Sequence, residues 1–164
     1  MPPLEGTLPH EDNFRQVLSR LPTGVVILTA DGDGGPHGLV VGSFMSVSLQ
    51  PPLVAVCPSK TSTTWPLIER GGRFCANVLA EGQESLARTF SARGADRFAA
   101  IDWTPAPATG SPLLPGVAAW IDCRIHDRFE GGDHWLVVGE VLELSVSRTG
   151  GALVFHGGAF RQLV

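Results

Sequence analysis

Lysine is nearly missing from this chain: of 12 Lys and Arg residues, only Lys60 is a lysine. Charged residues make up 17% and the formal net charge is -4, so neither a disordered polyelectrolyte nor a surface that attracts polyanions is expected. Nucleic acid is not an expected partner. The 3 cysteines, Cys57, Cys75 and Cys123, form no C-x-x-C pair and sit in apolar segments, which points to buried, reduced thiols rather than a zinc or redox site. No apolar run approaches the ~20 residues a membrane span requires. The opening Met1-Pro2-Pro3-Leu4-Glu5-Gly6 has neither a basic patch nor an apolar core, so a cytoplasmic location is expected. No G-x-S-x-G elbow, H-x-x-x-H or H-E-x-x-H spacing occurs, and the 5 histidines are scattered, so hydrolytic and metal chemistry lack a sequence basis.

What is present is a chain of 164 residues, 43% of them hydrophobic, enough for one compact domain. Residues 1–10 are expected to form a flexible arm and 11–164 the domain. From Glu11 to Leu21, Phe14, Val17, Leu18 and Leu21 recur at helical spacing, which predicts an amphipathic helix lying against the domain and ended by Pro22. The β-branched run Gly24 to Ala30, the turn Asp31 to Pro36 and a further apolar run predict a hairpin. The glycines from Gly32 to Gly38 imitate a dinucleotide-binding loop, but His37-Gly38-Leu39-Val40-Val41 reads as strand where such a loop must open a helix.

Strands are also expected over Phe44 to Leu49, Leu53 to Cys57, Phe74 to Leu79, 118–128, His134 to Ser147, Ala152 to His156 and Ala159 to Leu163. In the 118–128 segment, Ala119, Ile121, Cys123 and Ile125 are the expected buried face and Asp122, Arg124, His126 and Arg128 the exposed one. Short helices are expected after Thr63 or Thr64 and over Gln83 to Phe90, and an irregular loop over 91–117. The pattern predicts a mainly β protein, an antiparallel barrel with two or three short helices.

The hydroxyl-rich segment Ser59-Lys60-Thr61-Ser62-Thr63-Thr64 stands before a helix, an arrangement suited to a phosphate or simply to capping that helix. Several ordered motifs accompany it: Leu21-Pro22-Thr23-Gly24-Val25-Val26, Gly38 through Ser48, Phe74-Cys75-Ala76-Asn77-Val78-Leu79, Gln83 with Leu86 to Phe90, Gly132-Asp133-His134, Gly139-Glu140-Val141, and Leu153-Val154-Phe155 with Phe160. From about Phe14 to Leu163 this set resembles the short-chain NAD(P)H:flavin oxidoreductases of the FMN-binding split-barrel type, which include reductase components of two-component flavin monooxygenases.

The resemblance implies a closed antiparallel Greek-key split β-barrel, and a flavin reductase that moves hydride from NADH or NADPH to FMN or FAD, works as a homodimer and supplies a partner monooxygenase. It implies that Val40, Val41, Gly42, Ser43, Phe44 and Ser46 line the flavin ring, and that Ser59, Lys60, Ser62 and Thr64 hold its phosphate. Asn77 and Phe160 would stand beside the ring, and His134 would position the nicotinamide. Val40 stands where the family usually has threonine, Gly42 where a polar side chain is frequent, and Thr89 where histidine is common. Two hydrogen bonds toward the ring are then missing or come from backbone. The alternative reading is a flavin- or small-ligand-binding barrel without turnover. An oxidase of the pyridoxamine-phosphate type would need a basic cluster for its substrate, which the lone Lys60 does not supply.

Overall fold

The computed structural model describes residues 10–94, 96–147 and 150–163; of the arm expected over residues 1–10, residues 1–9 lie outside them. The described chain begins with α1 (Glu11–Leu18), whose N-cap, His10, accepts through Nδ1 from the Asp12 amide. A short β1 (Thr23–Gly24) is followed by the hairpin β2 (Val26–Gly32) and β3 (Gly35–Val41), with Gly34 and Gly35 at positive φ in the turn. The glycine cluster is therefore hairpin, as its sequence indicates. A second hairpin, β4 (Met45–Leu49) and β5 (Pro52–Val56), turns at Gln50 and Pro51. Next come α2 (Trp65–Gly71), β6 (Arg73–Val78) and α3 (Glu84–Ser91). The loop beyond holds β7 (Thr104–Pro105) and β8 (Pro112–Leu113), and the chain closes with β9 (Ala119–Gly131), β10 (His134–Val146), β11 (Leu153–His156) and β12 (Ala159–Gln162).

Seven strands form one sheet in the order β3-β2-β6-β9-β10-β5-β4, every pair antiparallel. A smaller sheet, β1-β11-β12, flanks it. The chain is thus mainly β with three helices among its described residues, as the sequence predicts. The two edges are β3 and β4, consecutive in the chain, and no ladder joins them among the described residues.

The run from Val25 to Ala30 is apolar but for Thr29, and all of it is buried because both of its faces are covered. Val26, Leu28 and Ala30 join one core with Trp65, Ile68, Phe74 and Val137. Val25 and Ile27 join a second with Leu79, Phe90, Leu114 and Leu153. Gly38 is required where β3 meets this second core. A Cβ there would stand 2.2 Å from Cε1 of Phe90, a ring already locked edge-on against Phe98 at 5.0 Å between centroids. Gly38→Ala should therefore cost about 2 kcal/mol and lower the melting temperature by about 5 °C in a thermal scan, because a packed ring must move to admit one methyl.

Two sequence expectations need correction. The helix α1 forms, but none of its residues is buried, and Phe14, Val17, Leu18 and Leu21 all remain exposed. An amphipathic pattern reports an apolar stripe and not what covers it. Asp122, expected on the exposed face of β9, is fully buried. The turn over residues 106–111 folds across that face and places its amides on the carboxylate, with Ala108 N at 2.8 Å and Thr109 N at 3.0 Å from Oδ2.

Candidate functional site

The last residues of β3 and the hydroxyl-rich loop face each other across a cleft of about 1070 Å³. One wall is Leu39, Val40, Val41, Gly42 and Ser43; the other is Cys57, Pro58, Ser59 and Ser62, with Gly131, Asp133 and His134 at one end. Backbone hydrogen bonds fix this meeting: Lys60 N donates to Asp133 O and Trp135 N to Pro58 O, so the loop is stitched to the start of β10. Glu11, Phe14, Arg15 and Leu18 of α1 form the outer rim, which the helix pattern alone did not reveal.

Being an edge strand, β3 carries backbone N–H and C=O groups on its side away from β2, available to a ligand's polar rim. That supplies by backbone what Val40 and Gly42 cannot supply by side chain. Gly42 has its own reason for lacking one. A Cβ there would lie 2.9 Å from Thr23 Oγ1, so the Thr23 hydroxyl occupies the space. The Ser43 hydroxyl accepts from Cys57 N at 2.9 Å and donates to Cys57 O at 3.4 Å, which ties the end of β3 to the end of β5.

The hydroxyl loop is partly a cap and partly a set of donors. Ser62 Oγ accepts from Trp65 N at 3.0 Å at the start of α2, and Ser59 Oγ lies 2.9 Å from Thr61 Oγ1. Accepting leaves the Ser62 hydrogen free for an anion, so capping and anion binding do not compete for the same part of the hydroxyl. Ser59, Thr61, Ser62, Thr63 and Thr64 also line a second recess of about 560 Å³, continuous with the first at Val40, Ser59 and Ser62. A third, of about 210 Å³, meets the strand end from behind through Thr23, Val40, Gly42, Phe155 and Phe160.

Val40, Val41, Gly42, Ser43, Ser59, Ser62, Thr64 and His134 are therefore brought together in the connected clefts, and Phe160 stands in the smallest recess, edge-on to Phe155. Four expected residues lie elsewhere. Phe44 packs against the first core, and Ser46 is exposed on the far edge strand β4. Lys60 bonds Glu130 and stands 4.5 Å over the Trp135 ring, its charge already answered.

Asn77 is completely buried, with Nδ2 near the carbonyls of Ile27, Cys75 and Pro112 and Oδ1 accepting from Leu114 N at 2.8 Å. It pins the β8 loop to the sheet and reaches none of the clefts. Thr89, the other departure, donates to Ser85 O on the exposed side of α3. Sequence reading missed the cations that do line the second recess, Arg93 and Arg97, because they fall in a stretch without periodicity.

At the exposed turn that ends the cleft, His134 Nδ1 and Asp133 Oδ1 are 2.7 Å apart. The His134 contact holds the Asp133 carboxyl below the usual carboxylate range. With Nδ1 so engaged, Nε2 is the ring atom left for a ligand. Burial pushes the Cys75 thiol up to about 12, with the Asp122 charge adding to the effect, and pushes Cys123 higher still. Cys57, half-buried and on the cleft wall, is different. A disulfide reagent at pH 8 should therefore titrate one thiol in the native protein and all three after denaturation; three native thiols reacting at once would contradict this packing.

This arrangement of an edge-strand wall, a hydroxyl loop and a Gly-Asp-His turn has counterparts in known proteins. The flavin reductase like domain model matches residues 18–164. The chain belongs to the flavin reductase-like family. It is 47% identical over 148 residues to a flavin reductase of Pseudomonas putida, covering 90% of this chain and 86% of that one. It is 49% identical over 147 residues to the reductase subunit HsaB of a flavin-dependent monooxygenase from Rhodococcus jostii, covering 90% and 75%. Among solved structures, the NADH:FAD oxidoreductase of Streptomyces globisporus in complex with NAD and FAD fragments superposes with a TM-score of 0.89 at 36% identity, over 94% of this chain and 93% of that one. Hydride transfer between two cofactors demands no acid, base or nucleophile from the protein, so membership in the flavin reductase-like family requires none here.

Proposed function

We propose that this chain is an NAD(P)H:flavin oxidoreductase that reduces FMN or FAD and releases it to a separate flavin-dependent monooxygenase. The observation that carries this reading is that Val40 to Ser43, Ser59 with Ser62, and the Asp133-His134 turn all line one cleft. Its residues suit a flavin: an apolar wall for a planar ring, unpaired edge backbone for the ring's polar rim, and hydroxyl hydrogens for a phosphorylated tail. Hydride passes from the nicotinamide to the flavin by reactivity that the two nucleotides bring with them.

The protein's part is to hold and exclude. The β3 wall fixes the ring plane, the hydroxyl loop anchors the tail, and His134, oriented by Asp133, offers Nε2 where a second planar ring enters from the open end. Strand-edge N–H groups placed at the ring's rim stabilise the negative charge that reduction leaves there.

The remaining features belong to the same reading. A three-residue connector, Gly42 to Phe44, joins the edge strands β3 and β4, and Ser43 is bonded to Cys57 at the end of β5, which supports a sheet curled into a closed Greek-key split barrel. The uncovered stripe of α1, together with exposed Leu49, Leu144 and Val146, supports a homodimer, because water-facing apolar area of that extent favours a covering partner. No helix among the described residues is long and apolar enough to cross a membrane. A cytoplasmic site of action follows from this reading of the substrates.

The test is an anaerobic absorbance assay crossing FMN and FAD with NADH and NADPH. Loss of the oxidised flavin band together with nicotinamide consumption is the expected result. Flavin binding without nicotinamide oxidation in any of the four mixtures would overturn the proposal.

A further inference from the structure

Two cations stand over the indole of Trp135: Lys60 Nζ lies 4.5 Å and Arg128 Cζ 3.9 Å from the ring centroid. Each is paired in turn with a carboxylate, Lys60 with Glu130 and Arg128 with Glu69, whose Oε1 is 2.6 Å from Nη1. These five side chains come from four segments: the hydroxyl loop, α2, β9 and β10. Strand register explains why they meet. Trp135 lies opposite Glu130 on the β9-β10 ladder and Val137 opposite Arg128, so Glu130, Arg128 and the indole share one face of that hairpin. A ring face attracts a cation, and the paired carboxylate limits how far each long side chain can swing away.

The same indole sits where the hydroxyl loop is stitched to the start of β10. Trp135 N donates to Pro58 O at 2.9 Å, Lys60 N donates to Asp133 O at 3.0 Å, and Ser59 stands opposite His134 in an antiparallel bridge. Backbone bonds this few leave a loop free to open by local fluctuation. The ring adds a side-chain hold at that point, on the loop through Lys60 and on β9 through Arg128. Ser59, Ser62 and His134 line the main cleft, whereas Trp135 is not among the residues lining it or the second recess.

We infer that Trp135 is a positioning residue for hydride transfer: by holding Lys60 against the β9-β10 hairpin, it fixes the hydroxyl loop relative to the His134 turn. The two substrate sites are thereby kept in register. The inference rests on the flavin reductase reading above and adds to it the device that sets the separation of its two sites. Transfer is steep in that separation, because a misplacement of about 1 Å costs up to about a hundred-fold in rate, while each site can still bind its own nucleotide.

Hydrogen exchange and single-turnover kinetics test the two halves of this statement. Trp135→Leu keeps an apolar side chain and removes the ring face; Trp135→Phe keeps a smaller face. In the protein without nucleotides, Trp135→Leu should speed exchange of the Lys60 amide by about five-fold or more, the loss of two ring contacts, while the amides of β6 exchange as before. In anaerobic reduction of FMN by NADH, the same variant should slow hydride transfer by about ten-fold and move the dissociation constants of FMN and NADH by no more than about two-fold. Trp135→Phe should recover most of both losses. Arg128→Met, a change at an exposed side chain, should move exchange and rate in the same direction by less.

Unchanged exchange at Lys60 in Trp135→Leu overturns the inference and leaves the flavin reading standing. Equal losses of rate in Trp135→Leu and Trp135→Phe overturn it as well, because the ring face is then not what matters. A weakened FMN dissociation constant with the transfer rate intact would make the indole a support of the tail site alone and overturn the positioning role. If Trp135→Leu fails to fold, Arg128→Met decides by the same two readings. An unaltered protein that oxidises no nicotinamide defeats the flavin reading itself, and the positioning role falls with it.

Discussion

Asp122→Ala should lower the melting temperature by about 9 °C, the largest stability loss we expect from one side-chain truncation outside the apolar cores. The carboxylate is fully buried, and its two oxygens accept from Ala108 N, Thr109 N and the Thr109 hydroxyl. Truncation removes the acceptors and leaves three donors of a part-buried turn without their partner. Each orphaned buried donor costs about 1–3 kcal/mol, and the turn's partial exposure recovers some of the sum, so about 3 kcal/mol is the expected net. The consequence extends beyond the turn. Residues 106–111 lead into β8, which Asn77 fastens to the sheet through Leu114 N and the Pro112 carbonyl. Native-state hydrogen exchange should show the 106–114 segment opening before the sheet does. A melting temperature within about 2 °C of the unaltered protein would mean that Asp122 does not hold the turn.

Asp122 and Asn77 show where sequence periodicity stops informing. Alternation along β9 identifies a two-faced strand, and Cys123, Ile121 and Ile125 do meet the core. Which polar residue on the other face becomes covered depends on where a distant loop lands, and the 91–117 segment has no period to announce it. Asn77 was legible as a residue on the right strand, but its surroundings were not: the β8 segment crosses that face of β6 and meets its amide with the Pro112 carbonyl and the Leu114 amide. Strand registers and turns were easier, because Gly34, Gly35 and Gly132 sit at positive φ where hairpins need them. The β3 end and the hydroxyl loop were legible as chemistry before their meeting was visible.

Cations followed the opposite course. Lys60 has the sequence neighbourhood of a phosphate ligand, yet it pairs with Glu130 from a turn 70 residues away. Arg97 has no such neighbourhood and still faces the hydroxyls. Local sequence names the donors that share a loop; the partners that neutralise a charge come from elsewhere in the fold. The same reasoning explains α1, whose stripe was plain from Phe14, Val17 and Leu18 although nothing in the described chain covers it.

Ser62→Asp should weaken FMN binding by about a hundred-fold or more while leaving the melting temperature almost unchanged. Aspartate accepts from a nearby backbone amide as serine does, so the bond now made by Trp65 N to position 62 at 3.0 Å survives the change and α2 keeps its first turn. What changes is the sign of the interaction with a bound phosphate. The serine donates its hydrogen to an oxyanion; the carboxylate can only accept, and like charges about 4 Å apart repel by about 4 kcal/mol at an effective dielectric of about 20. Arg97, near Thr64 on the same loop, would turn partly toward the new carboxylate and add to the loss. Riboflavin, which carries no phosphate, should bind the variant about as well as the unaltered protein. Equal FMN affinities before and after the substitution would leave Ser62 as an acceptor for the Trp65 amide alone, and the phosphate would have to be sought elsewhere.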